Sequence, residues 1–206
     1  MDLSRPFASV SPGVESDVLV TLAATTAQKT GRELARLTGR SVTGVQHAID
    51  RLVNEGLVHR AEAGPSFLYA LNRDHLMAPA VDVMASARCE LVGRLRDLMD
   101  AWQLPPFHAS LFGSAARGEG NPASDIDLLV VRATDIDAED PAWQQQLDDL
   151  AERTLSWTGN DAGIVELAAA DIPRLLKDRP PVLDEVVKDG IDLAGLSIRQ
   201  MLRGAS

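Results

Sequence analysis

Between residues 14 and 56 the apolar side chains recur every three to four positions. Beyond residue 105 they condense into short runs bounded by glycine, proline and aspartate. The first spacing predicts helices and the second predicts buried strands. Val18, Leu19 and Leu22 mark a first helix over 14–27. Thr30, with Glu33 three positions later, forms a capping box for a second helix that Gly39 closes. Ser41 caps a third, on which Val45, Ile49, Leu52 and Val53 make one stripe before Gly56 stops it. Residues 57–60 and 67–71 read as a hairpin around Gly64-Pro65, and residues 1–13, without any period, as a flexible tail.

Residues 75–104 carry one long helical stripe through Val81, Met84, Leu91, Leu95, Leu98 and Trp102, which predicts a single connecting helix ended by Pro105-Pro106. Residues 105–206 then mix short strands and helices. A helix is expected from Pro141 to about Trp157, a third strand over 162–167, a short helix after Asp171, and a last helix ending at Gly190. The chain thus divides into a tail (1–13), a helical module with a hairpin (14–74), a connecting helix (75–104) and an α+β module (105–206).

The richest chemistry lies in residues 111–131, Leu-Phe-Gly-Ser-Ala-Ala-Arg-Gly-Glu-Gly-Asn-Pro-Ala-Ser-Asp-Ile-Asp-Leu-Leu-Val-Val. A Gly-Ser pair closes one apolar run, a polar glycine-rich loop follows, and Asp-Ile-Asp opens the next. On a strand Asp125 and Asp127 project to one side, about 7 Å apart at the backbone, while Ile126 points to the other. Paired carboxylates at a strand start repel unless a cation sits between them, so the pattern asks for Mg²⁺. Gly113 allows close backbone approach to a ligand, and Ser114 offers a hydroxyl and an amide to phosphate oxygens.

This stretch resembles the signature of the polymerase-β-like nucleotidyltransferases: Gly113-Ser114, ten residues, then Asp125-Ile126-Asp127. Arg117-Gly118 and Ser124 are similar to the small prokaryotic branch. The resemblance implies an NTP substrate lying along Gly113 and Ser114, with Arg117 and Ser124 as further donors. Asp125 and Asp127 would hold Mg²⁺, and a third carboxylate from the next strand would complete a metal site with room for a second ion. Glu166 is the candidate as the one acid inside the expected strand, with Asp161 at the strand entrance as the fallback. The acceptor of the NMP group (protein, RNA or small molecule) is not specified. Trp157 is the aromatic ring nearest the expected third strand.

The module at 14–74 reads as a winged helix-turn-helix. Its wording from Thr30 to Val58 resembles bacterial winged-helix transcription regulators. That resemblance places Thr43, Gln46 and His47 on a DNA-facing helix, with Arg40 and Arg60 near phosphates. The expected fold class is therefore α+β: an N-terminal winged helix-turn-helix, a connecting helix, and a nucleotidyltransferase-fold mixed sheet with flanking helices. The connecting stripe would also suit a homodimer.

Charge alters this picture. The net charge of −10 lies entirely in residues 75–206, with twelve basic and twenty-two acidic side chains, whereas residues 1–74 hold eight of each. The first module is not barred from a polyanion, but it lacks a basic cluster and gains little from counterion release. Docking or autoregulation is the competing use. Cys89 stands alone, with no disulfide framework, and is expected as an apolar helix filler in a reducing cytoplasm. No membrane span or secretory leader is expected. Two functions follow: an active nucleotidyltransferase with a winged helix for DNA binding or autoregulation, or a transcription regulator whose transferase-like domain senses nucleotide without turnover.

Overall fold

The computed structural model describes residues 1–204. The chain divides into two compact units, Arg5–Ala87 and Met1–Ser4 together with the chain from Arg88 onward.

In the first unit, α1 (Val14–Ala23), β1 (Lys29–Thr30), α2 (Gly31–Thr38) and α3 (Val42–Asn54) lead into the hairpin β2 (Val58–Ala63) and β3 (Ser66–Leu71), and α4 (Ala78–Ala85) follows. Local chemistry accounts for the boundaries. Glu33 N–H donates to the Thr30 hydroxyl at 3.2 Å and Thr30 N–H donates back to the Glu33 carboxylate at 2.7 Å, a reciprocal cap. Gly39 ends α2 at φ +65 and Gly64 makes the hairpin turn at φ +61, both left-handed positions. The sheet runs β1-β3-β2, all antiparallel. Val18, Leu22, Leu34, Val45, Ile49 and Tyr69 pack beneath it into one buried core.

Two expectations are corrected here. The segment 1–13 is not a free tail: Leu3 and Phe7 are buried, and Pro6–Ser9 forms a 3-10 turn, because these two side chains have apolar cores to enter. The connecting segment is not one helix. Its first helix, α4 (Ala78–Ala85), is capped at Ser86, whose N–H is shared between the Asp82 and Val83 carbonyls, and a new helix, α5, spans Ala87–Asp100.

In the second unit, α5 is followed by β4 (His108–Leu111), α6 (Gly113–Arg117), β5 (Ile126–Arg132), α7 (Pro141–Thr158), β6 (Ala162–Ala168), α8 (Ile172–Asp178), α9 (Pro181–Asp189), β7 (Ile191–Gly195) and α10 (Ile198–Gly204). The sheet order is β6-β5-β4-β7, with β5 and β6 parallel and the other pairs antiparallel. Strand alternation sorts its side chains between two cores. Ile126, Leu128 and Val130 pack with α5 and α7 around Trp143, whereas Leu129 and Val131 pack with Ile172, Val186, Ile198 and Met201 from α8, α9 and α10. The result is a mixed sheet with helices on both faces, and it sets the two sides on which polar residues can fall.

Candidate active site

The ladder between β4 and β5 decides where the Gly-Ser turn lies. Leu111 pairs with Leu128, and one residue later Phe112 N–H donates to the Asp127 carbonyl at 2.9 Å. The chain therefore turns at Gly113 directly beside Asp127. Gly113 has φ +66, and a Cβ there would stand 3.0 Å from Asp127 Cγ and 3.3 Å from its Cβ. Only glycine permits both the left-handed backbone and this approach. The segment expected as open loop after Gly113 is instead the single-turn helix α6, closed by Gly118 at φ +71. Ala115 and Ala116 are buried and favour that turn.

Asp125 and Asp127 flank one point in space. A Cβ on Gly163 of β6 would lie 3.2 Å from Asp127 Oδ1 and 3.7 Å from Asp125 Cβ, so both acids border the space beside Gly163. Ile126 between them is buried on the opposite face. The Asp127 carboxyl is pushed above the usual range by burial, then by the charges of Asp125 and Glu185, and Arg117 opposes this only weakly. A half-buried carboxylate crowded by two like charges calls for a counter-charge.

That donor set fits Mg²⁺, which is held by one or two carboxylates plus phosphates and waters rather than by an all-protein cage. Among the described residues no group of three or more His, Cys, Asp or Glu is arranged to hold a metal by itself.

Glu166 is not part of this constellation, and its expected role is corrected. In the parallel ladder Asp127 pairs with Gly163 and Val130 with Glu166. Glu166 is three residues on and on the other face, where its carboxylate accepts from Arg132 Nε at 3.0 Å and Trp143 Nε1 at 2.9 Å. The parity of the strand decides this, because an odd offset from the site register reverses the side. The residue directly facing the pair is a glycine. Trp157, too, lies away from the pair. It packs on the α5–α7 side with the Arg94 guanidinium 5.8 Å from its ring.

Arg117, Ser124, Arg40 and Gln46 have polar partners already. Arg117 donates to Glu119 at 2.8 Å and lies 3.5 Å from Asp189, and these acids raise its pKa further. The Ser124 hydroxyl accepts from Asn121 N–H at 3.1 Å, capping its own loop. Ser114 is half-buried, its hydroxyl beside Gly120. In the first unit Arg40 Nε donates to Asp17 at 2.7 Å, and Gln46 donates to Asp50 at 2.9 Å. Thr43, His47 and Arg60 are exposed, with Arg60 4.9 Å over the Phe67 ring. Cys89 is exposed on α5 and fills no core.

Glu185, whose charge helps raise the Asp127 pKa, is an acid near the pair that the sequence did not single out. It sits on α9, one turn before Asp189, whose ion pair with Arg117 ties α9 to α6. The only trace of it in the sequence is the acidic pair four residues apart on a predicted helix.

Residues 93–187 match the nucleotidyltransferase domain family. The matched segment contains the Gly113–Asp127 turn and Glu185. No curated protein matches the chain. Among solved structures, a toxin-antitoxin crystallised with AMP-PNP shares 19% identity over 55% of this chain and 82% of its own, with a TM-score of 0.38. A mutant of the toxin-antitoxin MntA-HpeT shares 18% over the same fractions, with a TM-score of 0.37. No described helix is long and apolar enough to cross a membrane.

Proposed function

We propose that the second unit is a nucleotidyltransferase that binds a nucleoside triphosphate with Mg²⁺ and transfers its NMP group, with release of pyrophosphate, to a nucleophile on a protein, an RNA or a small molecule. The observation carrying this reading is the close approach of Gly113 to Asp127, with Asp125 beside it, inside the family match. Asp125 and Asp127 would hold the cation, which when bound neutralises phosphate charge. The Gly113-Ser114 turn offers a backbone amide and a hydroxyl to phosphate oxygens without a side chain in the way. Arg117 can reach an incoming phosphate by exchanging Glu119 for it, a charge-for-charge replacement. Glu166 faces away, so Asp125, Asp127 and Glu185 are the carboxylates on the side where an acceptor would lose its proton. Rate enhancement on this reading comes from positioning and charge neutralisation.

Incubation with each α-labelled NTP and Mg²⁺, with or without a cell extract as acceptor source, tests it. Pyrophosphate release and a labelled product are expected, and Asp125→Asn and Asp127→Asn should lose both while staying folded. Binding without pyrophosphate in any arm refutes it in favour of the second reading, a nucleotide sensor. That reading is favoured by one observation: the β6 residue facing the acid pair is Gly163, so no carboxylate closes the site from that strand.

For the first unit we propose a winged helix-turn-helix that docks on DNA or on a partner. The order α1, β1, α2, α3 and a hairpin supports it, as do exposed Thr43, His47 and Arg60. Occupation of Arg40 by Asp17 and of Gln46 by Asp50 leaves fewer groups for base and phosphate contact than the sequence implied. A salt-dependent mobility shift on the DNA upstream of its own gene is the test, and homodimers are read by light scattering in the same samples.

A further inference from the structure

The loop between Gly118 and Asp125 contains two glycines, an asparagine and a proline, and it carries the first of the two site acids. Left to itself such a loop would sample many conformations. One buried side chain from outside the loop restrains it. Asn160, 3% exposed, follows Gly159, the left-handed residue that ends α7 at φ +71. Its Nδ2 donates to the Ser124 carbonyl at 2.8 Å and to the Asn121 carbonyl at 3.1 Å. The next residue acts from the other side: the Asp161 carbonyl accepts from Ile126 N–H at 2.8 Å. Asp125 is thus held through both of its flanking peptide groups.

Asn160 is in turn fixed by its own neighbours. Its N–H donates to the Thr158 hydroxyl at 3.0 Å, and that hydroxyl donates to the Thr154 carbonyl at 2.7 Å in the last turn of α7. Asn160 Oδ1 accepts from the Met1 amine. The side-chain amide is therefore a rigid two-pronged donor, and rigidity is what a positioning group requires.

We infer that Asn160 is a positioning residue for the acid pair: by holding the 121–124 loop it sets where the Asp125 carboxylate lies beside Asp127. This rests on the reading of the site proposed above. Nothing in Asn160 touches the reacting atoms, so its effect must pass through Asp125. The expected consequence of its loss is weaker uptake of the divalent cation, by about 10- to 100-fold, the usual cost of losing a group that orients a ligand.

The test uses Asn160→Asp, which keeps the shape and removes both donors, and Asn160→Ala, each checked for folding by circular dichroism. Hydrogen exchange should accelerate at amides of 118–126 and stay at wild-type rates in the middle of β5. Mn²⁺ binding followed by electron paramagnetic resonance, alone and with ATP, should weaken by that factor. Raised Mn²⁺ should restore kcat, so the metal requirement moves more than the turnover number, which a merely structural defect would not produce.

A folded variant with unchanged loop exchange, or with unchanged Mn²⁺ affinity, overturns the inference. Should neither variant fold, the wild-type Asn160 side-chain amide is read by NMR. Protected NH₂ protons support the clamp and exchange at the solvent rate overturns it. Wild-type protein that takes up no Mn²⁺ in either arm refutes the transfer reading, and the exchange comparison then judges the clamp separately.

Discussion

Replacing Gly113 with alanine isolates the close approach to Asp127 on which the proposed site rests. Two costs are expected. An alanine held at φ +66 costs about 1–2 kcal/mol as a left-handed L-residue, offset by about 0.4–1 kcal/mol from a less flexible unfolded chain. The added Cβ would also lie 3.0 Å from Asp127 Cγ, well inside the usual contact distance, so the Asp127 side chain must leave its rotamer, at about 0.5–1.5 kcal/mol. Together these predict a net loss of about 1–2 kcal/mol. Gly159→Ala is the control, since Gly159 has φ +71 and a Cβ added there would meet nothing within 4 Å, so it carries the backbone cost without the clash. Urea unfolding of both variants should place Gly113→Ala below Gly159→Ala by about 1 kcal/mol. Displacing Asp127 by about 1 Å should reduce NMP transfer by about 100-fold. Equal stabilities together with transfer within about twofold of wild type would refute the reasoning, because the close approach would then constrain nothing.

Three further outcomes are expected. Glu166→Ala leaves the indole N–H of fully buried Trp143 without its acceptor, so unfolding should ease by about 1–3 kcal/mol while NMP transfer by the folded protein persists; loss of transfer at full stability would return Glu166 to the site. Asp17→Asn should cost about 1–2 kcal/mol by denaturant titration, since Asp17 is buried while Arg5 and Arg40 are each about a third exposed and screened; a change below about 0.5 kcal/mol would contradict that pairing. His108 is buried with its pKa depressed, chiefly by desolvation, so the folded form keeps it neutral to lower pH than the unfolded chain does. As pH falls below 6.5 the unfolded state takes up this proton first, and stability should drop, by at most about 1.4 kcal/mol per pH unit, until the depressed folded value is reached. A His108→Asn variant should lack that part of the slope, and identical slopes in thermal scans from pH 7 to 5 would count against it.

Local signals were sufficient wherever a residue's role is settled by its neighbours in the chain. Thr30 with Glu33, Ser41, Gly39 and Gly64 announce caps and turns because their hydrogen bonds or left-handed backbones involve residues two to four positions away. The Gly113-Ser114 and Asp125-Ile126-Asp127 pattern was legible for the same reason, as alternation along one strand sends both acids to one side. The β6 contribution was not legible. Whether Glu166 or Gly163 faces Asp127 depends on the pairing register between two strands some thirty residues apart, and a shift of one residue reverses every side chain. Strand β7, Glu185 on α9, the burial of Leu3 and Phe7 and the grip of Asn160 on the 121–124 loop belong to the same class. Each is set by which surfaces meet after the chain has folded, and no periodicity within a segment encodes its distant partner.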